Sequence, residues 1–400
     1  MQLNEPYLII DLNDNKLIFF VISFNEKKNF KILKKIVLKS EGIQNGRVIN
    51  VDTVSQLLKK TISIIEEDIN FFFSNAAVII DPSQINCLNV SGYKKLNGSQ
   101  VSNEDITYIL NDIKKIILDS ENNYSLIHLF NSNFSLDSDN LENLPIGLFG
   151  EFYNQNMTFF LVKKNILKNI KSVFINCGLN IEKIVLKSFA EGIYLLSNNH
   201  SDKNFTILRL EKNRINISLF KNKSYVFTEE FNFGFNLIVK DISKLCSLQI
   251  EEVEKLMIEI ELKNILENNK DSHLDKLYFS TSPYRKIKHQ LILDIITARL
   301  DELVEICYEN NKNLDYFRKS NNAIYVIISK DEHLKNIQFA LQKNRLIDAK
   351  FIFGQNIDDN LLFSLNGAAE LIGRGWEKEA IPVIQPNKSL ISTFFSRLFS

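Results

Sequence analysis

The same order of predicted elements occurs twice in this 400-residue chain, and the duplication limits the folds that it can adopt. Residues 7–24 form two β-rich apolar runs around an Asn-Asp-Asn turn. Asn and Asp tolerate left-handed backbone angles, so this pattern predicts a tight hairpin. A second hairpin pattern covers 205–220, and helical spacing such as that over 51–69 follows each hairpin in alternation with strands. The repeat is not strict in sequence, but it predicts a duplicated α/β architecture.

Charge and cysteine spacing argue against several classes of protein. The chain has 48 basic and 48 acidic residues, which does not favour a nucleic-acid-binding surface. Its cysteines lie tens of residues apart, without the short spacing of a zinc site or redox pair, and five dispersed histidines show no ligand spacing. The cysteines are Cys87, Cys177, Cys246 and Cys307. We therefore predict no metal site and a reducing, cytosolic location.

The N-terminal sequence and the length of the apolar runs also bear on location. The start, MQLNEPYLIIDLND, has acidic and amide residues where a signal peptide would need cationic ones. No apolar run approaches the roughly 18–20 residues that span a bilayer. The body is expected to be cytosolic.

Residues 388–400 form a pattern of their own at the end of the chain. On a helix, six apolar residues fall along one stripe opposite serine, threonine and arginine. The stripe contains Leu390, Ile391, Phe394, Phe395, Leu398 and Phe399. Such a helix is too short to span a bilayer but can lie in its surface, where Lys388 and Arg397 would attract anionic lipid. The alternative is a helix docked on the body, which the phenylalanine content and the preceding proline-containing linker disfavour.

Several longer segments carry a family resemblance by their order and spacing. They read INCLNVSGYKKLNGSQVSNEDI, NLPIGLFG, INCGLNIEKIVLKSFAEGIYLL, IITARLDEL and FSLNGAAELIG. Together they resemble FtsA, the actin-like protein of bacterial cell division, whose C-terminal membrane-targeting helix the last thirteen residues also resemble. The resemblance implies an actin-like (duplicated ribonuclease-H-like) ATPase fold with an FtsA-type inserted α+β subdomain and a C-terminal amphipathic helix.

The resemblance also implies a division of the chain into subdomains. The expected parts are lobe 1 over 1–82, completed by about 163–200 and 355–375; the inserted subdomain over 83–162; lobe 2 over 201–240 and 321–354, with a helical subdomain over 241–320; a linker over 376–387; and the membrane-targeting helix over 388–400.

Actin-like ATPases bind phosphates through two hairpins whose turns are small enough for backbone N–H groups to reach the anion. This chain has only 13 glycines, none adjacent to another, and the first hairpin contains none. By resemblance, Asp11 and Lys16 match family positions, and Asn13 could still adopt the turn at a glycine position. Asp14 replaces a hydroxyl residue and puts a carboxylate where phosphate would approach.

The second hairpin departs further from the family. Arg209 stands where a carboxylate would organise Mg²⁺, and Asn216 replaces a second aspartate. Other positions expected to hold glycines or a ribose-binding carboxylate are occupied by Glu211, Lys212, Asn213, Thr297, Ser329 and Lys330. We therefore expect a degenerate site without ATP hydrolysis or tight binding of ATP and Mg²⁺, and hence no enzyme. In an opposing interpretation, Arg209 and Lys212 have become phosphate donors of a new kind.

The function implied by the resemblance is a peripheral scaffold on the cytoplasmic side of the bacterial inner membrane at the division site. It would tether polymers of the tubulin-like protein FtsZ, bind the FtsZ tail through residues 241–320, self-associate into filaments and contact other division proteins. Three alternatives stay open: an active actin-like ATPase, a related membrane-associated protein of pilus or secretion assembly, and an unrelated α/β protein.

Overall fold

The computed structural model describes residues 5–197, 202–315, 323–328, 334–342, 350–352 and 357–382. Ser329, Lys330 and the whole predicted membrane-targeting helix over 388–400 lie outside these ranges.

Seventeen strands are present within the described ranges. The first eleven are β1 (Tyr7–Leu12), β2 (Lys16–Phe24), β3 (Phe30–Lys39), β4 (Ile43–Gln44), β5 (Arg47–Val48), β6 (Asn75–Ile80), β7 (Ile85–Lys95), β8 (Tyr124–Leu136), β9 (Asp139–Leu141), β10 (Phe152–Lys163) and β11 (Asn180–Leu186). The others are β12 (Phe205–Leu210), β13 (Ile215–Lys221), β14 (Ser224–Phe231), β15 (Ala323–Ile328), β16 (Lys350–Ile352) and β17 (Glu379–Pro382).

Ten α-helices accompany these strands in the described ranges. They are α1 (Val51–Ile69), α2 (Asn103–Ser120), α3 (Lys164–Asn176), α4 (Lys187–Ser197), α5 (Asn236–Cys246), α6 (Ile250–Glu259), α7 (Leu262–Asn268), α8 (His289–Val304), α9 (Leu334–Gln342) and α10 (Ile357–Arg374). Within the described ranges, no helix has both the length and the apolar character needed to cross a bilayer.

The described residues divide into two compact units. Unit 1 comprises those within 1–203, 219–228 and 361–400, and unit 2 comprises those within 204–218 and 229–360.

Two five-stranded sheets have the same construction. One has the strand order β11-β6-β1-β2-β3, and the other has the order β16-β15-β12-β13-β14. In each sheet three consecutive strands lie side by side, and the first of them pairs in parallel with a later strand, β1 with β6 and β12 with β15. Parallel pairing requires a crossover, which α1 provides before β6. The predicted duplicated α/β architecture is therefore confirmed.

The first sheet shows how the sequence sets the elements. Central strands β1 and β6 are buried along almost their whole length, which suits their runs of Ile, Leu, Val and Ala. Helix α1 covers the predicted residues 51–69 and begins after Asn50, whose side chain accepts a hydrogen bond from the Thr53 N–H at 3.0 Å. It ends at Asn70, whose left-handed backbone (φ 54°) closes the last turn.

A further sheet in unit 1 has the order β17-β8-β10-β7 and is covered on one face by α2. The helix lies so close that a Cβ added to Gly92 on β7 would be 2.3 Å from an Ile109 methyl group. The segment SNED predicts that Ser102 or Asn103 caps α2, and the structure has Ser102 in that role. Its side chain and that of Asp105 bond reciprocally to backbone N–H groups at 3.2 and 2.8 Å.

Strand β17 differs from the sequence-based expectation. A linker is predicted over 376–387, whereas Glu379–Pro382 pair antiparallel with β8 and put Glu379 and Ala380 in the interior. Pro382 is compatible with this position because it ends an edge strand, where a missing N–H costs little. The prolines predicted irregular structure in this segment, but the buried contacts of Glu379 hold residues 379–382 as a strand.

Candidate functional site

The first hairpin, β1–β2, carries the sequence-predicted site residues of unit 1. Asp11 is 1% exposed on β1, opposite Ile18 of β2, and its carboxylate accepts a hydrogen bond from the Ser364 hydroxyl at 3.5 Å. Lys16 begins β2, is half-buried and lies opposite Lys39 of β3. Asp11 and Lys16 are thus held on neighbouring strands of one hairpin.

The turn between these strands does not use left-handed residues, contrary to the expectation from sequence. None of residues 13–15 has a positive φ. Instead the Asn13 side-chain oxygen accepts a hydrogen bond from the Asn15 N–H at 3.1 Å, a local bond that shapes the turn without a glycine.

Asp14, at the tip of the same turn, binds backbone amides of another hairpin. Its carboxylate accepts hydrogen bonds from the N–H groups of Asn45 and Gly46, at 2.9 and 2.7 Å. Asn45 (φ 50°) and Gly46 (φ 64°) form the two-residue turn between β4 and β5, and a Cβ at Gly46 would lie 1.9 Å from the Asp81 carbonyl oxygen. The Asn-Gly pair is a known hairpin signal, but sequence reasoning missed that Asp14 binds it.

The second hairpin, β12–β13, holds the unit 2 residues in a buried ion network. Arg209 is 2% exposed, and its Nε lies 3.5 Å from a carboxylate oxygen of Glu211. The other Glu211 oxygen accepts a hydrogen bond from Arg214 Nε, and Arg214 Nη1 lies 3.4 Å from a Glu230 oxygen. Arg214 and Glu230 are almost completely buried. Two guanidinium groups and two carboxylates are therefore in contact at this hairpin.

The turn of this hairpin is also closed by backbone contacts with the start of α5. The N–H groups of Phe235 and Asn236 donate to the carbonyls of Glu211 and Lys212, at 3.1 and 2.9 Å. Gly234 permits this approach, since a Cβ there would lie 2.1 Å from the Glu211 carbonyl oxygen. The helix-terminal amides therefore bind carbonyls of the turn.

Among the described residues, the other predicted positions of unit 2 lie at or near this hairpin, except for Thr297. The Lys212 ammonium pairs with Glu254 at 3.0 Å, and Asn213 accepts a hydrogen bond from the Asn236 side chain at 3.3 Å. Asn216 is buried on β13 and accepts a hydrogen bond from Ser218 at 2.9 Å. Thr297 is half-buried on α8.

These contacts do not fit the ATP and Mg²⁺ that the resemblance implies. Magnesium prefers oxygen ligands, and a buried guanidinium, Arg209, stands at the expected carboxylate position. In unit 1 the Asp14 carboxylate of the first hairpin accepts hydrogen bonds from amides of the β4–β5 turn, and in unit 2 the Glu211 N–H donates to the Arg214 carbonyl at 3.0 Å. Among the described residues, no group of three or more His, Cys, Asp and Glu side chains could hold a metal ion.

Comparison of the sequence with known proteins finds relatives of this chain. No family model matches the chain. Cell division protein FtsA of Buchnera aphidicola subsp. Schizaphis graminum is 20% identical over 305 residues, 76% of this chain and 72% of that protein. FtsA of Bacillus subtilis (strain 168) is 21% identical over 316 residues, 78% and 71% of the two chains.

A solved structure shares the fold. A chain of a PilM–PilN type IV pilus biogenesis complex superimposes with a TM-score of 0.56 at 11% identity, covering 92% of this chain and 99% of that chain. The sequence-predicted fold class, the actin-like fold, is confirmed.

Proposed function

We propose that this chain, a divergent relative of FtsA with an actin-like fold, is a cell-division scaffold that links FtsZ polymers to the cytoplasmic face of the inner membrane without hydrolysing ATP. The observation that carries the proposal is the similarity to FtsA from different bacteria over 76–78% of the chain. The pilus-assembly alternative has a likeness in fold at 11% identity, which does not by itself indicate a shared function. Sequence similarity therefore favours division over pilus assembly.

The contacts of the two hairpins support a scaffold that is not an ATPase. Arg209 and Arg214 are buried against Glu211 and Glu230, so moving Arg209 aside to admit a metal would leave buried charges unpaired. Breaking a buried ion pair typically costs about 3–5 kcal/mol. That cost would be subtracted from any free energy that binding of ATP and Mg²⁺ supplied, so the ion network disfavours nucleotide binding.

Lipid attachment is proposed from the amphipathic pattern over 388–400. One short interfacial helix binds reversibly, so stable attachment needs several such helices on one assembly. Self-association of the body, with FtsZ polymers as a second template, would supply that multivalency. Residues 241–320 are proposed to take the FtsZ tail, and the site of action is the division plane.

The tail is tested with vesicles of phosphatidylglycerol and phosphatidylethanolamine. We expect the full-length chain to carry preformed FtsZ polymers to the vesicles in a flotation assay. A chain ending at Asn387 should bind FtsZ but lose vesicle binding at least about tenfold, because each buried apolar side chain contributes roughly 1.5–3 kcal/mol and 1.4 kcal/mol is a factor of ten.

Matched double substitutions separate lipid insertion from a change in charge. Phe394→Asp with Phe395→Asp places two carboxylates on the apolar stripe, and Ser392→Asp with Ser396→Asp places two on the polar side. The first variant should match the truncated chain, and the second should keep most of its binding. Equal flotation of all four proteins would refute the lipid-binding tail, and full-length protein without FtsZ binding would refute the scaffold.

ATP hydrolysis is tested by phosphate release from the purified chain, alone and on vesicles with FtsZ. We expect no release above the buffer rate and no difference between the wild type and Asp11→Ala. Release that Asp11→Ala abolishes would instead establish the active-ATPase alternative, because a contaminating ATPase would not respond to that substitution.

A further inference from the structure

We propose that each of the two hairpins that, by resemblance to actin-like ATPases, would bind phosphate carries an internal ligand, a carboxylate that is permanently bound by other groups of the chain. Asp14 plays this part in unit 1 and Glu211 in unit 2. A nucleotide site that lacks its usual sequence motifs could simply contain no bound anion. Each hairpin has instead acquired an anion, which the β4–β5 turn binds in unit 1 and two arginines of the same hairpin bind in unit 2.

In unit 1 the internal ligand binds backbone amides. Two consecutive N–H groups in a left-handed turn form the kind of concave donor pair that binds phosphate oxygens elsewhere. Here the N–H groups of Asn45 and Gly46 point at both oxygens of Asp14, at 2.9 and 2.7 Å. The hydroxyl residue expected by resemblance at position 14 could not supply two acceptor oxygens to these amides.

In unit 2 the internal ligand binds cations. The Glu211 carboxylate lies between the Arg209 and Arg214 guanidinium groups, and Arg214 also contacts Glu230. Guanidinium groups pair with carboxylates and phosphates through the same geometry of N–H donors. The pair of arginines therefore binds a carboxylate in the way that such a pair would bind a phosphate.

A ligand that is part of the chain cannot dissociate or be hydrolysed. The hairpins should consequently keep one conformation whatever the ATP concentration, and vesicle attachment of the chain should not depend on ATP. The expectation about vesicle attachment rests on the proposed function, whereas the expectation about hairpin stability does not. Thermal unfolding can therefore refute the internal ligands without refuting the proposed function, and the vesicle assay can refute the proposed function without refuting the internal ligands.

The experiment is thermal unfolding of the full-length chain with and without millimolar ATP and Mg²⁺. A ligand that binds the native state must raise the unfolding midpoint. We expect the wild-type midpoint to be unchanged by ATP and Mg²⁺. A rise in the wild-type midpoint would overturn the proposal, because it would show that the hairpins still admit nucleotide.

Substitutions test the internal ligands directly. Glu211→Gln should lower the midpoint by at least about 5 °C, because it removes the carboxylate that contacts both buried guanidinium groups, Arg209 and Arg214. Glu254→Gln is the matched control, since it removes a more exposed ion pair of the same hairpin, with Lys212, and should change the midpoint little. Asp14→Ala should lower the midpoint more than Asp139→Ala, which removes an exposed aspartate of the same unit.

Equal midpoints for Glu211→Gln and Glu254→Gln would overturn the proposal for unit 2, and equal midpoints for the two aspartate variants would overturn it for unit 1. If Glu211→Gln does not yield folded protein, Glu230→Gln removes the carboxylate that lies 3.4 Å from Arg214 Nη1 and allows the same comparison.

Discussion

Replacing Glu379 by alanine is expected to lower the free energy of unfolding of unit 1 by about 3–5 kcal/mol, the usual cost of leaving a buried cation, here Lys183, without an opposite charge nearby. Glu379 is 4% exposed on β17, and one of its oxygens lies 2.5 Å from His128 Nδ1. The Leu186 N–H donates to His128 Nε2 at 3.2 Å. Lys183, also buried, donates to the Leu371 carbonyl at 3.3 Å. Alanine at 379 would remove the acceptor of His128 and an opposite charge near Lys183.

The pH dependence of this contribution follows from the pKa of Glu379. Burial alone would raise that pKa, but the proximity and hydrogen bond of His128 and the charge of Lys183 outweigh burial and hold the pKa below its ordinary value of 4.5. The folded chain therefore binds fewer protons here than the unfolded chain, so the stabilisation is present above pH 4.5 and is lost as pH falls through the folded pKa. The difference between the wild type and Glu379→Ala should shrink in acid.

The single tryptophan makes this measurement specific. Trp376 lies three residues before Glu379 in unit 1, and its indole N–H donates to the Lys223 carbonyl at 2.9 Å, so its fluorescence in urea should follow the loss of β17. Glu377→Ala is the control, because Glu377 is 61% exposed and its contact with Lys223 is 3.6 Å long. We expect that variant to stay within about 0.5 kcal/mol of the wild type. Equal destabilisation by both substitutions would refute the role assigned to the buried Glu379 carboxylate.

Local patterns predicted those parts of the fold that local sequence controls. The period of apolar residues gave α1 over 51–69, and the polar residues at 102 and 103 placed the start of α2. The absence of glycine from the β1–β2 and β12–β13 hairpins was visible in the sequence. These features depend on residues within a few positions of one another, which is the range over which periodicity and capping act.

Contacts between distant residues could not be predicted in this way. Asp14 meets amides that are 31 and 32 residues away, and Glu379 meets a histidine 251 residues away. The composition of 376–387, with its prolines, indicated a linker because nothing nearby showed that His128 would bind Glu379. The charge of Arg209 was noted from sequence, but its pairing with Glu211 and the involvement of Glu230 depend on how the strands align.

Replacing Glu252 by alanine is expected to destabilise unit 2 by about 3–4 kcal/mol, since it leaves the buried N–H and hydroxyl groups of Ser282 without their acceptor, at about 1–3 kcal/mol for each that cannot reach water. The carboxylate is 4% exposed at the start of α6. It accepts hydrogen bonds from the Gln249 N–H, the Ser280 hydroxyl, and the N–H and hydroxyl groups of Thr281 and Ser282, at distances between 2.5 and 3.2 Å. One carboxylate thus ties residues 280–282 to the helix.

Glu251→Ala separates this effect from the interaction of a carboxylate with the helix dipole. Glu251 is exposed in the same first turn of α6, so its removal should cost only the dipole contribution of about 0.3–1 kcal/mol. The measurement is urea unfolding followed by far-ultraviolet circular dichroism, together with amide hydrogen exchange of residues 280–282. Exchange there should accelerate in Glu252→Ala and not in Glu251→Ala. Unchanged exchange in both would contradict the assigned role.

Acid should reproduce the effect of the substitution in the wild-type chain. Burial alone would raise the pKa of Glu252, but hydrogen bonds from Ser282, Thr281 and Gln249 outweigh it and hold the pKa far below its ordinary value of 4.5. The stabilisation is therefore complete above pH 4.5 and declines as pH falls toward the folded pKa. Below pH 4.5 the wild type should lose stability progressively while Glu252→Ala loses less, so the two unfolding curves should converge. A constant separation at every pH would show that the carboxylate charge contributes nothing.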